Sequence, residues 1–230
     1  MVIRRSWPAG DTARWCGGIA GVAVLAGATV MLVALIAAPG SWLVGYVSEA
    51  GTALAPWATA YQWGLLILSA GVALLGLALR PWSRLIAGLL GGAAVFAATS
   101  GAVPCSRQCP LPPYEPTTLS DVVHSGASIV GMVLLAGAMS LVAASAAFRP
   151  AARRLAGAHA ALTIPLGGAL GLIMLLVGRG SAGAILERIM LAVGVSWLVG
   201  TSLLTMLRIS EKRSLRMPPR SPSSPQTSRA

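Results

Sequence analysis

Acidic side chains are almost missing from this chain: Asp and Glu together number six in 230 residues, and Lys occurs once, at position 212. Charged residues of both signs make up 10% of the sequence, against about a quarter in ordinary soluble domains, and so low a share excludes a domain of that kind. Aromatics reach only 5%, so Ala, Val, Leu, Ile and Gly carry most of the apolar character. Three cysteines are too few to build a disulfide scaffold of this length. No apolar run carries repeated charge at its centre, which argues against an ion pathway. No internal repeat or polar midplane break supports an inverted-repeat transporter.

What is present is apolar sequence in long runs. Hydrophobic residues amount to 56% and mean hydropathy is +0.77, values that belong to a bilayer. Six runs approach or exceed the roughly 20 residues that cross the hydrocarbon core: Cys16 to Ala38, Trp57 to Leu79, Leu85 to Val103, Val122 to Phe148, Leu155 to Val177 and Ala184 to Leu207. The first is too long for the apolar region of a signal peptide and is read as a retained span. The expected fold is therefore all-α, a polytopic integral membrane protein built as a bundle of six transmembrane helices over 16–207.

Charge sets the expected orientation. With the N-terminus in the cytoplasm, fourteen of the seventeen basic residues fall on the inner side, and Arg107, Arg179 and Arg188 fall outside. Such a bias follows the positive-inside rule and places both termini in the cytoplasm. Residues 1–15 form a short cytoplasmic N-terminus, and 208–230, basic and rich in Ser and Pro, a disordered cytoplasmic tail. The net charge of +11 resides in these membrane-flanking clusters, so nucleic acid is not an expected partner. The preference for Arg over Lys, with abundant Ala and Gly, reads as a GC-rich bacterial coding sequence and a bacterial plasma membrane.

The outer segments hold the residues able to do chemistry. Cys105 and Cys109, four apart between Pro104 and Pro110, suit a disulfide on an oxidising face. No metal or other cofactor is expected, because structural zinc takes four ligands and the nearby chain adds only His124. Thr118-x2-Asp121 reads as a capping box that starts the fourth span. The stripe running down from Asp121 holds His124, Ser125 and Ser128, which makes His124 and Asp121 catalytic candidates as well, with Asp121 orienting the imidazole. Glu187 and Arg188 open the sixth span, point in different directions, and each require a partner on another segment. Glu49 adds a carboxylate on the same side, so Glu49, His124, Glu187 and Arg188 form the expected ligand-binding set. His159, at the opposite face, reads as a packed or interfacial histidine. Gly17-x3-Gly21, Gly88-x3-Gly92 and Gly167-x3-Gly171 are candidate helix contacts.

Val47-Ser48-Glu49 after the first span, Pro104-Cys105, the His124 that opens the fourth span, and Gly183 with Glu187-Arg188 together resemble a bacterial and archaeal membrane family, domain of unknown function 998. The likeness extends from about Ala13 to Leu207. That family is distantly similar to six-span membrane proteins of the Frag1/DRAM/Sfk1 type, which implies the same helix count but no activity.

Three functions compete. A non-enzymatic lipid-binding, sensing or scaffold module fits best, with membrane lipids or another membrane protein as partner. A membrane-embedded hydrolase acting on an outer-leaflet lipid, with His124 as general base, lacks an evident nucleophile or metal set. A small-solute transporter lacks midplane polarity.

Overall fold

A computed structural model describes residues 9–39, 42–43, 45–107, 109–110 and 114–214. Among them are six long helices, α1 (Ala9–Ala37), α2 (Ala58–Leu79), α3 (Arg84–Ala102), α4 (Leu119–Ala144), α5 (Pro150–Leu176) and α6 (Ser181–Ser214), and one 3-10 turn, Val47–Gly51. Each helix is long and apolar enough to cross a membrane.

The helices begin where local chemistry starts them, beyond the apolar runs themselves. Ser83 caps α3 by accepting from the Ile86 N–H. Pro150 stands at the first position of α5, where its missing N–H costs nothing, so this helix starts five residues before the expected Leu155. α1 likewise starts at Ala9, with Asp11 in its first turn favoured by the helix dipole. α6 continues to Ser214, past Leu207; the rest of the basic tail, from residue 215, lies outside the described residues.

Consecutive helices pack side by side and α1 closes on α6, so the bundle is a ring, pinched where α2 also touches α6. The half of the ring that holds the α2–α3 and α4–α5 connections is filled. Leu75, Leu79, Ile86, Leu90, Val142 and Trp197 are buried there in one cluster, and Trp82 and Phe148 face each other with ring centroids 6.5 Å apart. Burying a side chain of this size away from water is worth about 2 kcal/mol; between membrane helices dispersion and close fit supply much of the gain.

The tightest crossing joins α1 to α2. A Cβ at Gly27 would lie 2.6 Å from the Leu68 nitrogen, and one at Gly64 would lie 2.8 Å from the Gly27 oxygen. Gly17 and Gly21 lie against Thr205 and Ser202 of α6, as expected of a small-residue contact. Gly88 and Gly171 face open space, so the Gly88-x3-Gly92 and Gly167-x3-Gly171 pairs do not clamp neighbours at both positions.

Candidate functional site

The polar end of the bundle is built by two loops, each held from a helix beneath it, and by Arg179 of the short α5–α6 connection. The first loop, between α1 and α2, is gripped by α6. Glu187 accepts from the Val47 N–H at 2.6 Å, at the start of the 3-10 turn, where free N–H groups favour a carboxylate. Arg188 donates from one terminal nitrogen to the Gly45 and Ala184 carbonyls, both at 2.8 Å, and from the other to the Trp42 carbonyl at 2.6 Å. Adjacent residues on a helix point about 100° apart, which lets one take the donors of the loop and the other its acceptors. The partner that Arg188 requires on another segment is the backbone of the first loop: its terminal nitrogens are engaged by carbonyls.

Glu49 turns back to accept from the Tyr46 N–H at 2.9 Å and pairs with Arg179, whose guanidinium also lies 5.5 Å over the Tyr46 ring. Glu115 stands 3.9 Å from Arg179 on its other side. Gly45, at φ +80°, sits where a side chain would be strained and would strike the Glu49 carboxylate.

Tyr46 is buried, and burial pushes its phenol up from the ordinary value, the Gly180 backbone opposing. Gly180 is not at hydrogen-bonding geometry, and the hydroxyl has no partner among the described residues. That hydroxyl rests directly on Gly183, where a Cβ would overlap it. Gly183→Ala should therefore cost about 1–3 kcal/mol by overpacking, read as a lower Tm in detergent. Adding Tyr46→Phe removes the colliding oxygen and should recover about 1 kcal/mol of the loss. Equal Tm for the single and double variants would contradict the contact.

The second loop, between α3 and α4, is gripped by Asp121, which is 1% exposed. Its carboxylate accepts from the Thr118 N–H at 2.7 Å and hydroxyl at 2.7 Å, and from the Ser106 N–H at 2.6 Å and hydroxyl at 3.0 Å. The capping box expected at Thr118 is present. The pairing of Asp121 with His124 is not formed, because both carboxylate oxygens are committed to the helix cap and to Ser106. His124 turns the other way: its Nδ1 lies 2.8 Å from the Ser100 carbonyl and 3.0 Å from that of Val103. Carbonyls only accept, so Nδ1 carries the proton. Asp121 thus holds structure and does not orient a base, which removes the central support for the hydrolase reading.

Beyond Asp121, the Ser106 carbonyl accepts from the Cys109 N–H at 3.0 Å, closing a turn that holds Cys105 and Cys109 as a close pair. Their Cα atoms are 5.1 Å apart, within the range that a disulfide spans. His159 lies in the other half of the bundle, 2.9 Å from the Ser196 hydroxyl of α6, in keeping with a packed histidine.

Beneath this polar roof the ring is hollow. A cavity of about 900 Å³, at the upper end of the range for small-molecule sites, extends down to Val72, Leu135 and Leu198 at the packed core. Its roof includes Tyr46, Ser48, Arg179, Glu187, His124 and Cys109. α4 and α5 are joined by Arg153 on the Ala143 carbonyl and by Thr163 on the Met139 sulfur. Above these ties, Gly126, Gly168 and Gly171 line the cavity with nothing within 4 Å of where their Cβ atoms would stand. The wall also includes Ile129 and Val133 of α4 and Ile164 and Leu175 of α5, all exposed on the bundle surface. The cavity therefore reaches the lipid-facing side between α4 and α5.

Of the four expected ligand-binding residues, His124 and Glu187 line the cavity, Glu49 acts through Arg179, and Arg188 holds a loop. Tyr46, Arg179, Ser100 and Ser106 were not among the site residues expected from sequence. Arg179 carried a signal, as one of three basic residues on the expected outer side; Tyr46 and the serines carried none.

These features define a six-helix protein of membrane type with a polar-capped cavity inside the bundle. The chain belongs to the family described as "Protein of unknown function (DUF998)", matched over residues 19–204. No curated protein and no solved structure matches it.

Proposed function

We propose that this chain is a non-enzymatic lipid-binding module of a bacterial plasma membrane, with both termini in the cytoplasm and the polar roof facing outward. The cavity supports this reading: it is apolar over most of its depth, polar at one end, and open sideways between the apolar faces of α4 and α5. A lipid entering between α4 and α5 places its chain against Leu135, Met132 and Leu198 and its headgroup oxygens near Ser48 and Arg179. The orientation rests on the positive-inside bias. Since loops on two sides meet the headgroup, occupancy and loop order are linked, as a sensor or scaffold requires.

Gly168→Trp tests the proposal without disturbing packing, because the new side chain projects into open space. In native mass spectrometry of detergent-purified protein, the original chain should carry one retained lipid. The variant should fold with an unchanged Tm and lose it. A bare original chain, or an undiminished adduct in the folded variant, would contradict lipid binding in this cavity.

A further inference from the structure

Cys105 and Cys109 are close in sequence, and the fold brings His124 of α4 to them. Asp121 does so by holding Ser106, the neighbour of Cys105, over α4. The two sulfurs and one His124 ring nitrogen all lie within 4.8 Å of one another, and the three residues are 0%, 6% and 5% exposed. Among the described residues this is the one group of three potential metal ligands that converge. In the structure the two sulfurs are joined as a disulfide, so a zinc ion, bonding at about 2.3 Å to sulfur and 2.0–2.1 Å to nitrogen, is taken only once reduction has freed the sulfurs to part.

Two further observations point to a ligand. Ser128 donates to the His124 carbonyl at 3.0 Å, so the Ser100 hydroxyl, 2.9 Å from Ser128, donates to Ser128. Nδ1–H is held by the Ser100 and Val103 carbonyls, and the polar contact at Nε2, the Ser100 hydroxyl at 3.4 Å, is long and has its proton directed to Ser128, which leaves the Nε2 lone pair open to an ion. A histidine whose other N–H is fixed by a carbonyl is the usual orientation of a metal ligand. Cys109, moreover, sits at φ +47°, a left-handed conformation uncommon for a side-chain-bearing residue that is found more often where function requires it.

We propose that the reduced pair, Cys105 and Cys109, together with His124, binds one thiophilic d10 cation, Zn2+ or Cu+. Two sulfur–metal bonds and one nitrogen–metal bond form, and both thiols release their protons to solvent. For Zn2+ the two thiolates cancel the charge of the ion, which suits a buried site. Soft thiolates with one imidazole select these ions over Mg2+ or Ca2+. The site has three protein ligands, and because Cys109 and His124 line the cavity, the fourth position is reached from there. The disulfide and the metal-bound pair are alternative states of the same two sulfurs: a dithiol reductant gives two electrons and two protons to the disulfide and is itself oxidised to a disulfide, and the two thiols so formed take the ion. The inference does not depend on lipid binding.

The test uses untagged full-length protein with Cys16→Ser, since Cys16 is a free thiol that would confuse the count. After phosphine reduction and removal of oxygen, one arm receives Zn2+ and the other Cu+; bound metal is counted by elemental mass spectrometry and affinity by chelator competition. One ion per chain is expected in at least one arm, with about two protons released per Zn2+ if zinc is the ion taken. Cys109→Ser, nearly the same shape, and His124→Ala should each weaken binding at least about 100-fold. A reduced chain that takes up neither ion overturns the site. So does unchanged affinity in Cys109→Ser at unchanged Tm, which would mark the uptake as adventitious.

Discussion

Gly27→Ala should destabilise the bundle by on the order of 3 kcal/mol or more, at the upper end of overpacking costs, and lower the monodisperse fraction after detergent extraction. The added methyl would overlap the Gly64 carbonyl oxygen and stand 2.6 Å from the Leu68 nitrogen. Both are backbone atoms of α2, so no rotamer change relieves the clash and the helices must separate. Gly64→Ala meets the same surface from the other side and should cost a similar amount. The two together should cost less than their sum, because one displacement relieves both. Gly88→Ala supplies the contrast: it belongs to a GxxxG pair yet meets nothing within 4 Å, so its effect should stay within about 0.5 kcal/mol. Equal loss in Gly27→Ala and Gly88→Ala would contradict the packing described.

The second large effect is expected at Asp121. Asp121→Ala removes an acceptor that satisfies four donors. Loss of the helix cap costs about 1 kcal/mol, and each donor left buried without a partner costs a further 1–3 kcal/mol. Water can reach the Thr118 side, so the total should be about 3 kcal/mol, seen as a Tm well below that of the original chain. Asp121→Asn keeps one acceptor oxygen and should fall between the two. The turn holding Cys105 and Cys109 hangs from the same carboxylate, so both thiols, once reduced, should react faster with a thiol reagent in Asp121→Ala. A Tm drop without faster thiol reaction would separate the cap from the anchor and contradict the double role.

Those two residues also mark what could be read before the fold was known. Thr118-x2-Asp121 is a local motif, and local geometry alone places the carboxylate at its cap; the structure agrees. The six spans were legible for the same reason, since span length and hydropathy are properties of single segments. Ser106 on Asp121, Glu187 on Val47, and Arg188 on the Gly45 and Trp42 carbonyls were not legible. Each joins positions that sequence separates by 15 to about 145 residues, and backbone partners leave no mark in side-chain patterns. Glycine contacts failed in an instructive way. Spacing on one helix selects pairs such as Gly88 and Gly92, whereas the closest approach is made by Gly27 and Gly64, one from each helix. The hollow itself had no sequence signal, because an apolar residue facing a cavity and one facing a neighbouring helix are chemically the same.

Lipid is proposed to occupy this hollow. This occupancy is tested most directly by photocrosslinking in membranes with a lipid that carries a photoactivatable group near the end of its acyl chain, followed by mapping of the adducts. The account predicts adducts on cavity-facing residues, Ala127, Met132 and Met190 among them, and their loss in Gly168→Trp. Adducts confined to outward-facing positions of α1, such as Val22 and Val33, and unchanged in Gly168→Trp, would show that lipid only surrounds the bundle and would contradict it.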